Sequence, residues 1–228
     1  MKKLINSVFG SFGYQIRASH VPLQSFKVGV DQVAKSFPVD IVVDIGVAHH
    51  TNDLYQAFKS KKFLLVEANP GFKKHLEELR LKLDAKVEMV FCGERSGEIT
   101  LNTPDNGRRA SAYTEVLPEQ KTTVVKMETL DNLMERNGLS SGTVLLKIDV
   151  EGAELDVLRG AEKTLDRSEV VILEICWGVP FITSASDYTD VLVFMKEKGF
   201  TLFNIIEGGG ILRHGRLTHA DFIFVRDK

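Results

Sequence analysis

Past residue 38, apolar positions alternate between short continuous runs and stripes at helical spacing. Val39 to Ile45 is a β-branched run closed by Gly46, the pattern of a strand buried on both faces. Leu54, Tyr55 and Phe58 mark one face of a helix over residues 51–60. Phe63 to Glu67 reads as a second strand, followed by an Asn69-Pro70-Gly71 turn. Phe72, Leu76, Leu79 and Leu83 recur at helical spacing, and Val87 to Cys92 reads as a third strand. Glu98 to Asn102 and Thr122 to Met127 read as short strands around a polar loop that holds Arg108 and Arg109. Thr129 caps a helix through Leu133 and Met134, which Gly138 stops. Val144 to Ile148 is a strand with Asp149 at its carboxyl end, and Leu155 and Leu158 mark the next helix. Val170 to Ile175 is another strand. Ser186 or Asp187 starts a helix with Val191, Leu192 and Met195 inward, ended by Gly199. Thr201 to Ile206 and Phe222 to Val225 close the chain with no helix between them.

This alternation predicts an α/β fold: a Rossmann-like, mostly parallel sheet with helices on both faces. The last two strands lack a crossover helix and should pair antiparallel at a C-terminal edge. The pattern divides the chain into an N-terminal helical appendage, residues 1–38, and one domain, residues 39–228. In the appendage Leu4, Ile5, Val8 and Phe9 share a helix face, which either docks on the domain or makes a weak contact with a membrane surface.

Composition narrows the partners. The net charge of -2 gives no basic field, so nucleic acid is not an expected partner. No apolar run is long enough to span a bilayer, and the interrupted start is no signal peptide, so the expected location is cytoplasmic. Cys92 and Cys176 lie apart within apolar stretches, which reads as two buried thiols rather than a disulfide or zinc site.

Ligands of such sheets sit beyond the carboxyl ends of the strands, at the switch point. Four predicted strand ends there carry acids: Asp44, Glu67, Asp149 and Glu174. Asp44-Ile45-Gly46, with Glu67 ending the next strand about 20 residues on, is the layout of a nucleoside site. The glycine turn passes close to the ligand and the acid accepts the ribose hydroxyls. Gly46-Val47-Ala48-His49-His50-Thr51 keeps only the first glycine, which obstructs a pyrophosphate. Acids around the cleft suit a cation such as the sulfonium of S-adenosylmethionine. A second acidic group, Asp149, Glu151 and Glu154, follows the Val144–Ile148 strand, with Gly152 allowing a sharp turn. Glu151 and Glu154 also suit the first turn of the next helix, where acids complement the dipole.

These residues resemble the FkbM-type S-adenosylmethionine-dependent methyltransferase family. Residues 146–154, Leu-Lys-Ile-Asp-Val-Glu-Gly-Ala-Glu, match its most characteristic stretch. Val42 to Gly46, Leu65 to Pro70, Gly93 through Gly97, Thr129 to Asp131, Leu155 to Ala161 and Leu173 to Ile175 resemble it as well. The resemblance spans roughly residues 39–225 and implies a class I methyltransferase-like fold. One branch of the family has a second glycine where this chain has His50.

The resemblance implies methyl transfer to oxygen, with a sugar, glycan or small hydroxylated metabolite as acceptor. S-adenosylmethionine is the expected cofactor. Asp44, Gly46, Val47, Glu67, Ala68, Cys92, Gly93 and Asp149 are the expected cofactor-binding residues. Asp149 is the expected base or orienting acid, with Glu151 and Glu174 in second rank. Asp149 and Glu174 also have the chemistry to hold Mg²⁺, though no metal is expected. His49, His50, His214 and His219 read as loop or surface histidines. The segment from Arg108 to Tyr113 and the loop from Glu207 to His219 are long enough to cover an acceptor. Two alternatives stay open: an oxidoreductase using an NAD-type cofactor, and a non-catalytic methyltransferase-like binding protein.

Overall fold

The computed structural model describes residues 24–48, 51–103, 121–177, 187–206 and 217–227. Helix α1 (Phe26–Ser36) leads into strand β1 (Ile41–Ile45), α2 (Asn52–Ala57) and β2 (Lys62–Val66). A 3-10 turn (Pro70–Phe72) runs into α3 (Lys73–Arg80), then β3 (Asp84–Glu88), β4 (Phe91–Cys92), β5 (Gly97–Thr103) and β6 (Lys121–Glu128). Next come α4 (Leu130–Arg136), β7 (Val144–Ile148), α5 (Glu154–Arg159), α6 (Glu162–Leu165) and β8 (Ser168–Cys176). The chain ends with α7 (Tyr188–Glu197), β9 (Phe200–Ile206) and β10 (His219–Arg226).

The main sheet has the order β3-β2-β1-β7-β8-β10-β9. Its first five strands are parallel, and β10 runs antiparallel to both β8 and β9, as the missing crossover helix predicts. The order reverses between β1 and β7, which makes their carboxyl ends the switch point. A separate three-stranded sheet has the order β4-β6-β5.

Side chains of a strand alternate between faces, so each β1 residue reports its layer. Ile41, Val43 and Ile45 join Leu146, Ile148, Leu173 and helices α4 to α7 in one core. Val42 joins Leu145, Ile172, Leu54, Tyr55, Leu76 and α1 in the other. Val30 and Val33 seat α1 on that second face.

The elements depart from the sequence expectation mainly at their ends. The single strand expected over Val87 to Cys92 is two strands in two sheets. β3 is the sheet edge, and its polar Asp84, Lys86 and Glu88 hide its start from an apolar pattern. β10 begins three residues before Phe222, because Asp221 and His219 are polar residues at its amino end. Thr129 does cap α4, its hydroxyl accepting from Asn132 N at 3.3 Å, and Gly138 has φ +67° just past the helix end. Asp187 caps α7 by accepting from Thr189 N at 2.8 Å. The N-terminal apolar face, His49, His50, His214, the 108–113 segment and most of the 207–219 loop lie outside the described residues. Among the described residues, no helix is long and apolar enough to cross a membrane.

Candidate functional site

A cavity of about 470 Å³ opens at the switch point. Its volume lies within the range of small-molecule and cofactor sites. One end is walled by Gly46, Val47, Ala48, Glu67, Ala68 and Cys92; the other holds Lys147, Asp149, Glu151, Glu174, His219 and Asp221.

Gly46 sits where β1 passes the end of β7. Its φ is +83°, and a Cβ there would lie 1.8 Å from the Asp149 carbonyl oxygen. The glycine is therefore required first by the chain itself. Gly46 N donates to Val66 O and Asp149 N to Ile45 O, both at 2.9 Å, which binds the three strand ends together.

Glu67 is fixed by the loops it joins. Its Oε2 accepts from Ala48 N at 3.0 Å and its Oε1 from Asn69 N at 2.7 Å. Burial pushes its pKa above the usual carboxylate range, opposed by the backbone N–H groups of Asn69 and Ala48. Ala68 N–H also favours the charged form, and a carboxylate has about four acceptor positions, so these three backbone groups leave capacity for a ligand hydroxyl. Ala48 holds φ +38°, a left-handed conformation uncommon outside glycine.

Asp44 lies behind the wall and is fully buried. Its Oδ2 accepts from the Tyr55 hydroxyl at 2.5 Å, while Oδ1 has no hydrogen-bond partner among the described residues. Lys147 Nζ stands 3.6 Å from that Oδ1 and 3.0 Å from Asp149 Oδ2. Cys92 lines the cavity, with burial raising the thiol pKa, so it packs as an apolar wall. Gly93, expected on the same wall, is not among the cavity-lining residues; its carbonyl packs against Gly160 and its N–H donates to Glu128 O.

The acids at the other end share one face. Asp44 pairs with Lys147 across β1 and β7, and Glu174 with Asp221 across β8 and β10. Alternation carries Lys147 and Asp149, and likewise His219 and Asp221, onto that same face. Asp149 and Glu174 hydrogen-bond to each other. Burial and the Asp149 charge raise the Glu174 pKa. Burial also opposes the Asp149 charge, but Lys147 and the Glu174 hydrogen bond outweigh it and lower the Asp149 pKa. The two carboxyls thus move apart in proton affinity, Asp149 down and Glu174 up.

Glu151, three residues before α5, has φ +52° and lines the cavity; it is not part of the helix first turn. Glu154 does occupy that turn, buried, with Oε1 accepting from Gly152 N at 3.0 Å. Burial raises its pKa to about 7.

His219, expected on a loop or the surface, instead begins β10 and lines the cavity. Its Nε2 is 3.6 Å from Glu174 Oε1, and its Nδ1 is 3.1 Å from Thr218 Oγ1. Lys147, His219 and Asp221 were not assigned from sequence, although spacing by two from Asp149 and along β10 places all three on the acid face. Glu151, Glu174 and Cys176 bring potential ligand atoms within 4.8 Å of one another. A thiol in that set, with burial raising its pKa, does not match the oxygen donors Mg²⁺ takes.

Comparison with known proteins shows the family. The model of the Methyltransferase FkbM domain matches residues 40–202, well over half of the chain. "Methyltransferase 1" of Beauveria bassiana (strain ARSEF 2860) is 26% identical over 126 residues, covering 52% of this chain and 48% of that protein. A solved structure from Clostridium thermocellum, provisionally named an rRNA-methylase, has TM-score 0.51 at 10% identity over 94% of this chain and 99% of its own. The mitomycin 7-O-methyltransferase MmcR has TM-score 0.43 at 12% identity, covering 99% of this chain and 57% of its own. The chain thus spans about half the length of the curated relative it matches.

Proposed function

Because the chain belongs to the Methyltransferase FkbM domain family, we propose that it transfers a methyl group from S-adenosylmethionine to a hydroxyl of a sugar, glycan or small hydroxylated metabolite. The observation that carries this reading is the switch-point cavity, with an anchored carboxylate at one end and an acid cluster at the other, in which Lys147 pairs with Asp149.

The residues present fit the cofactor. Glu67 has acceptor capacity for ribose hydroxyls, and its backbone hydrogen bonds hold it in place before any ligand arrives. Gly46, Val47 and Ala68 supply nearby backbone, and Cys92 an apolar wall for the base. Val47, Ala48 and Thr51 stand where a pyrophosphate would need close-packed glycines, which disfavours an NAD-type cofactor. When bound, the donor supplies an electrophilic methyl on a sulfonium, and that positive charge suits the acids at the far end. Asp149 is the group that accepts the proton the hydroxyl loses, while Glu174 and Glu151 orient the acceptor.

Calorimetric titration with S-adenosylmethionine, S-adenosylhomocysteine and NAD tests the cofactor. A radiolabelled-methyl screen across glycans and small hydroxylated metabolites tests the acceptor. Binding of NAD alone would turn the reading to an oxidoreductase, and binding of none of the three to a non-catalytic protein.

A further inference from the structure

We propose that Lys147 is a positioning residue of the methyl-transfer site: it ties Asp44 of β1 to Asp149 of β7 and keeps Asp149 a carboxylate within the cavity. The proposal rests on the reading that Asp149 takes the acceptor's proton.

The placement follows from the sheet. Asp44 and Lys147 are register partners on adjacent parallel strands, and Lys147 and Asp149 are two residues apart, so all three side chains share a face. Lys147 Nζ reaches Asp149 Oδ2 at 3.0 Å and Asp44 Oδ1 at 3.6 Å, with its side chain only 5% exposed. Asp149 is 33% exposed, so one partner of the lysine is sealed behind the wall and the other faces the cavity.

Acidic side chains surround Asp149 from several elements. Asp44 comes from β1, Glu174 from β8, Asp221 from β10, and Glu151 and Glu154 from the turn and helix after β7. Among the described residues around Asp149, the basic groups are Lys147, which pairs with it directly, and His219, whose Nε2 is 3.6 Å from Glu174 Oε1. Lys147 is the first of the groups favouring the Asp149 charge, so its removal raises the proton affinity of Asp149 within this acidic site. A protonated Asp149 has no capacity left to take a hydroxyl proton. The burial of an ammonium among apolar strands is costly, and apolar packing alone does not call for it.

The test needs no acceptor. Carbon-13 NMR on the full chain, labelled at aspartate side-chain carboxyls, follows Asp149 with pH; Asp149→Asn identifies its line. Lys147→Met alone leaves Asp44 and Asp149 without their cation and invites misfolding. Asp44→Asn/Lys147→Met removes one buried charge of each sign, and the new amide oxygen still accepts from Tyr55. Asp44→Asn alone and Lys147→Arg are the comparisons. The expected result is that Asp149 titrates at least about one pH unit higher in the double variant, a tenfold gain in proton affinity. It stays near its wild-type midpoint in Asp44→Asn and Lys147→Arg. Equal midpoints in the wild type and the double variant would overturn the proposal. A wild-type chain that binds neither S-adenosylmethionine nor S-adenosylhomocysteine by calorimetry instead overturns the methyl-transfer reading, separately from the NMR result.

Discussion

Replacing Gly46 by Ala tests whether the site is built on the contact between β1 and β7. The added Cβ would lie 1.8 Å from the Asp149 carbonyl oxygen, so the two strand ends must separate by roughly 1.5 Å to restore an ordinary contact. That movement stretches Gly46 N to Val66 O and Asp149 N to Ile45 O, each worth about 1 kcal/mol net. Holding alanine at φ +83° costs about 1–2 kcal/mol more, and forced repacking adds about 1–3 kcal/mol. The expected loss is about 4–7 kcal/mol, which for a domain of this size lowers the melting temperature by roughly 10–25 °C. Scanning calorimetry measures the loss. Titration of the surviving folded protein with S-adenosylhomocysteine should show affinity weakened at least about tenfold, because Gly46, Val47 and Asp149 move together. A melting temperature within about 3 °C of wild type, with unchanged affinity, would refute the reasoning.

Glu67→Gln exchanges one of two acceptor oxygens for an amide N–H₂ facing a backbone N–H, from Ala48 or Asn69. It should cost about 1–3 kcal/mol in urea unfolding and weaken S-adenosylhomocysteine binding at least about tenfold; intact affinity removes Glu67 from the ribose site. Glu154 has its folded-state pKa raised to about 7, so its contribution is present below the usual carboxylate range and lost as pH rises through 7. The stability of wild type relative to Glu154→Gln should therefore fall by about 3 kcal/mol between pH 4.5 and pH 8, and a pH-independent difference contradicts this. Gly160→Ala would place a Cβ 2.1 Å from Gly93 O, so a loss of about 2–4 kcal/mol is expected by chemical denaturation; a neutral effect shows that the Gly93 turn yields.

The parallel sheet was legible because its central strands are buried on both faces. Val144 to Ile148 is uniformly apolar except for Lys147, and its observed bounds equal the expected ones. Edge elements were less legible: no residue of β3 is buried, so its polar residues look like a loop. In the site, Glu67 and Asp149 could be placed from strand ends alone. Lys147 could not be given a role that way, because a lysine inside an apolar run looks like an interruption until Asp44 is known to lie beside it. His219 was misplaced because β10 starts on polar residues, and a histidine next to a long loop resembles part of that loop.

Among the described residues, the two non-glycine residues with positive φ, Ala48 and Glu151, both lie on the cavity wall, one after β1 and one after β7. Such conformations cost on the order of 1–3 kcal/mol each and persist only where neighbours over-determine them. For Ala48 the determinant is visible: its N–H is held by Glu67, the carboxylate assigned to the ribose. For Glu151, the adjoining turn is held by Glu154 accepting from Gly152 N, with Gly152 itself at φ +104°. Each strained loop is thus fastened by an acid from the residues the cavity is built on. The strain and the site share their supports, so relaxing either loop should release the carboxylate that fixes it, and with it the shape of the cavity.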